Sequence, residues 1–226
     1  MASDTLRLGL LAAALIGWYA ARSRPRKTSA TIDPDMPDGP TPGTPDDRTP
    51  PTPIAVGKST EGQISGLLAE MDAFFESQGI DTSKASAREV TLMPSVNAHA
   101  IPPRAYWPRM AATIKNAVLP IRSTLGLPLA LRGYRPPDYN EAVGGSAKSR
   151  HMWFEAVDIR PIPYTGENRR RLALAGAALH NAKGTQLKMG LGVYGDKTPS
   201  NIHVDTGYKR RVWRDAQAWK NKAGVA

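Results

Sequence analysis

Four histidines occur in the 226 residues, and two of them stand where their neighbours could share chemistry. His151 lies in Ser149-Arg150-His151-Met152-Trp153-Phe154-Glu155-Ala156-Val157-Asp158, seven residues before a carboxylate and just ahead of an apolar, strand-like run. His203 lies about fifty residues on, in Asn201-Ile202-His203-Val204-Asp205-Thr206-Gly207. Two imidazoles and a carboxylate fill three positions of a tetrahedral zinc and leave the fourth open, the ligand count of a catalytic rather than a structural site. A buried His or Asp held by backbone groups is the commoner arrangement for either cluster alone; together they point to a metal hydrolase. The other two histidines carry no such signal. His99 has no ligating neighbour and reads as a loop residue, and His180 falls near a helix C-terminus, where the dipole favours a cation.

Elements must position these groups. Ile202 to Asp205 alternates like a half-buried strand, which puts His203 and Asp205 on one face. Glu155 to Ile159 also reads as a strand. A separation of seven would place His151 and Asp158 on opposite faces of a regular strand, so the chain must turn or bulge between them. Thr60 to Gln63 reads as a capping box. It opens a helix with Ile64, Leu67, Leu68, Met71, Phe74 and Phe75 on one face and Gly79 at its stop. Trp107, Met110, Ile114, Val118 and Ile121 mark a second helix, bent near its end by Pro120. Leu127 to Leu131 predicts a short buried strand. Thr165 to Lys183 predicts a Thr-capped helix with Leu172, Ala175 and Leu179 inward and Arg169, Arg170 and Arg171 mostly solvated. Gly144-Gly145-Ser146-Ala147-Lys148-Ser149 lacks phosphate-loop spacing.

With no cysteine, a disulfide framework, a thiolate zinc knuckle and a cysteine nucleophile are all excluded. Hydrophobic residues make up 41% of the chain, enough for one proper core with additional segments. The net charge of +10 predicts attraction to polyanions. No helix-turn-helix, zinc-finger or RNA-binding pattern accompanies it, so no nucleic-acid partner is expected. Leu8 to Ala21 is an uncharged apolar run of fourteen residues, with Trp18 and Tyr19 near its end and Arg22, Arg24, Arg26 and Lys27 after it. It predicts a membrane anchor over residues 1–27 in preference to a cleaved signal. Residues 28–57 hold eight prolines and almost no large apolar side chains, which predicts an extended spacer. At about 3.1 Å per residue it would reach on the order of 90 Å. The folded domain is therefore expected over 58–226.

Ser149-x-His151-x-x-Phe154-x-Ala156-x-Asp158 resembles the S-x-H-x-x-G-x-A-x-D motif of the D-alanyl-D-alanine carboxypeptidase-like zinc peptidases, a family that includes murein endopeptidases and phage endolysins. The likeness runs back through Gly133-Tyr134-Arg135, Tyr139-Asn140 and Gly144-Gly145. It runs forward to Gly190-Leu191-Gly192-Val193-Tyr194, His203-Val204-Asp205-Thr206-Gly207 and Arg211-Val212-Trp213, covering roughly residues 90–215. It implies an α+β fold of the hedgehog/DD-peptidase type, a small antiparallel sheet carrying the site and packed with several helices. It implies one zinc ion on His151, Asp158 and His203, with Arg135 holding a substrate carboxylate or carbonyl through its planar fork. Asp205 is the expected general base, Asp196 a poorer one, and Tyr194 and Phe154 are expected to line the substrate groove. Two positions depart from the pattern: Phe154 stands where the motif has glycine, and Ser200 stands where many relatives carry an acid three residues before the last histidine.

The resemblance and the composition together predict a membrane-tethered zinc peptidase acting on peptidoglycan, either in a cell envelope facing the periplasm or in a phage virion. The alternative is a non-catalytic peptidoglycan-binding module that keeps the fold and the metal, since a fold alone does not guarantee activity.

Overall fold

The structure, a computed structural model, describes residues 50, 52–53, 55–56, 61–195 and 197–224. The expected anchor, most of the expected spacer, the proposed cap at Thr60 and the candidate base Asp196 lie outside the described residues. Among the described residues no helix is long and apolar enough to cross a membrane.

The architecture is α+β, with a three-stranded sheet, a five-stranded sheet and several helices. Strand β1 (Ala55–Val56) falls inside the stretch expected to be spacer, and it pairs antiparallel with β3 (Ala98–Ile101), whose other edge takes β2 (Leu92–Met93). His99 is therefore a strand residue, not a loop residue; its Nδ1 lies 3.0 Å from Thr91 Oγ1, whose own proton goes to the Ala87 carbonyl. Helix α1 (Glu61–Ser77) buries Ile64, Leu68, Met71 and Phe75 along one stripe, as its spacing requires, and the chain leaves it through Gly79 at φ +76°. Helix α2 (Ala87–Thr91) is closed by a capping box of Ser86 and Glu89.

The second expected helix runs as α3 (Trp107–Thr113), a π-helical stretch (Ile114–Val118) and α4 (Leu119–Leu125). Pro120 has no N–H to give the preceding turn, and the wider π turn ahead of it lets the helix continue instead of breaking. Gly126 at φ +64° ends it.

The five-stranded sheet has the order β4 (Leu129–Arg132), β5 (Ala156–Pro161), β7 (Ile202–Asp205), β6 (Gly190–Val193), β8 (Arg211–Arg214). All pairs are antiparallel except β6 with β8. One face carries Leu129, Leu131, Val157, Ile159, Leu191, Val193, Ile202 and Val204, all within the core. Helix α6 (Gly166–Lys183) lies on that face, capped by Thr165 on the Asn168 amide. At Gly176 the approach is tight, since a Cβ there would sit 2.8 Å from Ile202 Cδ1. His180 of this helix is not a solvated cation at a helix end: it is buried, and burial first, then Lys220 and Arg210, pull its pKa down to about 4. A short α5 (Pro137–Ala142) precedes the site, and α7 (Ala216–Gly224) packs against α6.

Candidate metal centre

The opposite face of the sheet is polar, and its register sets the site. Asp158 on β5 and His203 on β7 are direct cross-strand partners, so both side chains stand on the same face one strand apart. His151 comes from outside the sheet. It sits in a 3₁₀ turn (Arg150–Trp153) followed by Phe154 at φ +54°, the turn that the seven-residue spacing demanded. Phe154 thus holds the left-handed backbone that a glycine would adopt freely. Such a conformation costs on the order of 1–2 kcal/mol for a residue with a Cβ. Burying the ring, edge-on to Tyr134 at 5.8 Å, offsets this by about 1.5–3 kcal/mol. With no exposed surface, Phe154 is a core residue and does not line a groove.

Gly133-Tyr134-Arg135 reaches both ligands at once. The Gly133 carbonyl accepts from His151 Nδ1 at 2.6 Å, which commits that nitrogen to its proton and leaves Nε2 with a free lone pair. A Cβ at Gly133 would lie 2.7 Å from the Val90 carbonyl, so only glycine brings this peptide so close. Tyr134 is buried, and the Arg135 amide donates to the His151 carbonyl at 3.2 Å. The Arg135 guanidinium pairs with Asp158 Oδ2. Arg135, expected from the resemblance to hold substrate, has a partner within the site. Asn140 and Gly145 explain the lead-in: Asn140 Nδ2 donates to the Ser146 carbonyl at 2.8 Å, and a Cβ at Gly145 would strike the Asn140 side chain.

His151 Nε2, His203 Nδ1 and Asp158 Oδ1 converge. The two nitrogens are 3.1 Å apart, His203 Nδ1 lies 3.1 Å from the carboxylate oxygen, and His151 Nε2 lies 3.3 Å from it. Three ligand atoms held at about 2.0–2.1 Å around a tetrahedral zinc would be separated by about 3.3–3.4 Å. The triangle fits that size, its donors are two imidazoles and a carboxylate, and the group could hold a metal ion. All three residues are buried.

Electrostatics prepare these atoms. Burial, with help from Arg135, pulls His151 down to about 4, so its imidazole is neutral and its lone pair available. Burial pushes Asp158 up, but the guanidinium of Arg135 and the two histidines outweigh it and hold the carboxyl well below the usual range. Burial also pulls His203 down, yet its hydrogen bonds to Asp158 and Asp205 and the charges on both leave it raised.

Asp205 lies on the far side of His203. Its Oδ2 is 3.2 Å from His203 Nε2, the nitrogen turned away from the triangle, and it accepts from Arg211 Nη2 at 2.8 Å. Parity on β7 does put Asp205 on the ligand face, but its carboxylate supports the imidazole from behind instead of reaching the open side. The expected base is placed as an orienting residue. Two details that the sequence reading missed make room for it. A Cβ at Gly190 would sit 2.3 Å from Asp205 Oδ2, and one at Gly192 would sit 2.6 Å from the Trp213 ring, which packs edge-on to His203 at 5.0 Å. The Gly-x-Gly spacing of β6 was the available signal, because positions two apart share a face. Arg211 in turn lies over the Tyr208 ring, as does Arg150, itself paired with Glu155.

Tyr194, the other expected groove residue, is half-buried just beyond β6, where its amide donates to the Asn201 carbonyl at 3.2 Å and continues the ladder. Ser200, at the position where relatives carry an acid, spends its hydroxyl on the Tyr194 carbonyl and Asn201 Oδ1.

A search of curated proteins finds no match to this chain. A protein-family comparison does: residues 76–205, more than half of the sequence, match the family model described as Peptidase M15. That span contains all three converging ligands and the turn that joins them, and the chain belongs to the Peptidase M15 family, zinc-dependent metallopeptidases with a family-level role on peptidoglycan.

Proposed function

We propose that the chain hydrolyses peptide bonds of bacterial peptidoglycan, in a stem peptide or a cross-link, with one zinc ion on His151, Asp158 and His203. The observation that carries this reading is the triangle of ligand atoms, each side between 3.1 and 3.3 Å, with the outer nitrogen of each histidine already engaged by an acceptor. Zinc bound there would polarise the scissile carbonyl and acidify a water toward neutral pH. The residues of the chain do the rest. The Gly133 carbonyl and Asp205 fix the ring orientations, Arg135 keeps Asp158 ionised and turned so that one oxygen faces the triangle, and Trp213 walls one side of His203. Tyr194 and the free donors of Arg135 are the groups offered to substrate. The proton-carrying carboxylate is then sought at Asp196, since Asp205 is turned away and Glu155 is bound by Arg109 and Arg150.

Release of soluble muropeptides from purified murein by the zinc-loaded full chain tests the reading. It requires loss of release on chelation and return on adding zinc. A zinc-loaded chain that binds murein and releases nothing would instead establish the second reading, a wall-binding module. That reading draws its support from one observation: among the described residues, no unpaired carboxylate flanks the triangle. Membrane tethering, in an envelope or a phage particle, belongs to the same proposal and rests on residues 8–27.

A further inference from the structure

The register of the five-stranded sheet sorts its polar face into rows. One row crosses Arg132, Asp158, His203, Gly192 and Trp213 and contains two of the three metal ligands. One step further along the strands, Ala130 pairs with Arg160, and the ladders that pair Ile159 with Ile202 and Val193 with Ile202 bring Arg160, Asn201 and Tyr194 side by side. Same-face neighbours on a strand are about 6.6–6.8 Å apart. That is about the length of two residues of extended peptide.

Two donors in this second row go unanswered. Arg160 Nη1 and Asn201 Nδ2 are buried nitrogens with no hydrogen-bond partner, and no described carboxylate pairs with the Arg160 guanidinium. Asn201 is only 5% exposed, its Oδ1 already taken by the Ser200 hydroxyl. Buried polar groups are ordinarily satisfied, so two orphaned donors at adjacent positions call for an acceptor from outside the chain. The guanidinium is also held in place. It stacks 3.2 Å over the Tyr164 ring, whose hydroxyl donates to the Ser200 carbonyl at 3.0 Å, and Arg169 lies over the same ring at 4.5 Å. Ala130, opposite Arg160, has too small a side chain to cover it. A planar fork with a free N–H, on the strand next to a residue with a free amide NH₂, suits a carboxylate, which offers two oxygens and the opposite charge.

We propose that Arg160 and Asn201, steadied by Tyr164, form a carboxylate-binding subsite one row along the sheet from the metal triangle, occupied by an acidic group of the peptide substrate one or two residues from the scissile bond. The proposal rests on the peptidase reading for the identity of its ligand, but not for the existence of the site.

The test compares a peptidoglycan stem peptide carrying free carboxylates with the same peptide converted to its primary carboxamides, using the zinc-loaded full chain. Two quantities are read: kcat/KM for each form, and binding of each form by titration calorimetry. Wild type should favour the acid form by about ten- to a hundredfold, the range of a charge-assisted hydrogen-bond pair. Arg160→Gln should reduce that acid-to-amide ratio at least tenfold, mainly through KM, at unchanged zinc content. Arg160→Lys should restore part of it, because the charge returns without the fork. Tyr164→Leu, which leaves both donors in place but frees the guanidinium, should fall between. Equal treatment of acid and amide by wild type, or an undiminished ratio in Arg160→Gln, overturns the subsite. Absence of hydrolysis in every protein would sink the peptidase reading alone, and the calorimetric ratio would still decide the subsite.

Discussion

The two faces of the five-stranded sheet are made from the same strands and obey opposite rules. On the α6 side, Leu131, Ile159, Ile202 and Val204 are buried by packing, and any apolar side chain of similar volume would serve. On the other side, Asp158, His203 and Asp205 are buried equally well, but each is buried by a partner that answers a particular atom. The difference separates stability from function within one element. Apolar burial supports the fold in proportion to area, whereas the polar face buys orientation and depends on every partner being present.

Substitutions on each face should break this comparison most visibly. His203→Ala should remove zinc and lower hydrolysis by several orders of magnitude, while the zinc-free protein still unfolds cooperatively. Ile159→Ala, on the same sheet and one position from Asp158, should cost about 2–5 kcal/mol of stability while one zinc per chain remains at temperatures where the protein is folded. Metal analysis and denaturant titration of the two variants, side by side, check this; a large loss of zinc in Ile159→Ala would show that the faces are not separable.

Within the polar face, partners of ligands should matter by less. Asp205→Asn and Arg135→Ala should each lower zinc affinity or activity by roughly 10–100-fold, with excess zinc restoring part of it. Full zinc occupancy in Asp205→Asn together with a loss of activity by orders of magnitude would return Asp205 to the role of proton carrier.

The last expected effect is on pH. His99 and His180, both away from the triangle, have folded pKa values pulled to about 4, against about 6.5 for an unfolded histidine. A depressed folded pKa means that the unfolded chain binds more protons across that interval, so their contribution is present above pH 6.5 and is lost as pH falls toward 4. The denaturation midpoint of the zinc-free protein should decline over this window, and His99→Gln should flatten the decline. A midpoint independent of pH between 6.5 and 4 would contradict the burial of His180 and the partial burial of His99.

Much of this was legible in the sequence because the signals are local. Alternation through Ile202 to Asp205 was enough for β7, and the seven-residue separation of His151 from Asp158 required the turn that is present. The Thr165 cap, the Gly79 stop and the apolar stripe of α1 were similarly readable. What escaped depends on directions within a residue or on partners distant in the chain. Strand parity places Asp205 beside His203 but does not say which imidazole nitrogen it meets. The motif position of Phe154 says that a left-handed backbone is wanted, but not that a buried aromatic ring could hold it. Arg135 was recognisable as a functional arginine; its pairing with Asp158 needed the register between β4 and β5.

The tripeptide Gly133-Tyr134-Arg135 touches one ligand through its carbonyl, a second through its guanidinium, and helix α2 through the Tyr134 amide, which donates to the Val90 carbonyl at 2.7 Å. Mechanically it is a rivet through three parts of the molecule. Local opening there cannot occur without loosening both His151 and Asp158, so escape of the ion and transient fraying of this segment become a single event. Occupancy of the centre should then be audible at a distance, as slower exchange of the Tyr134 amide proton with solvent.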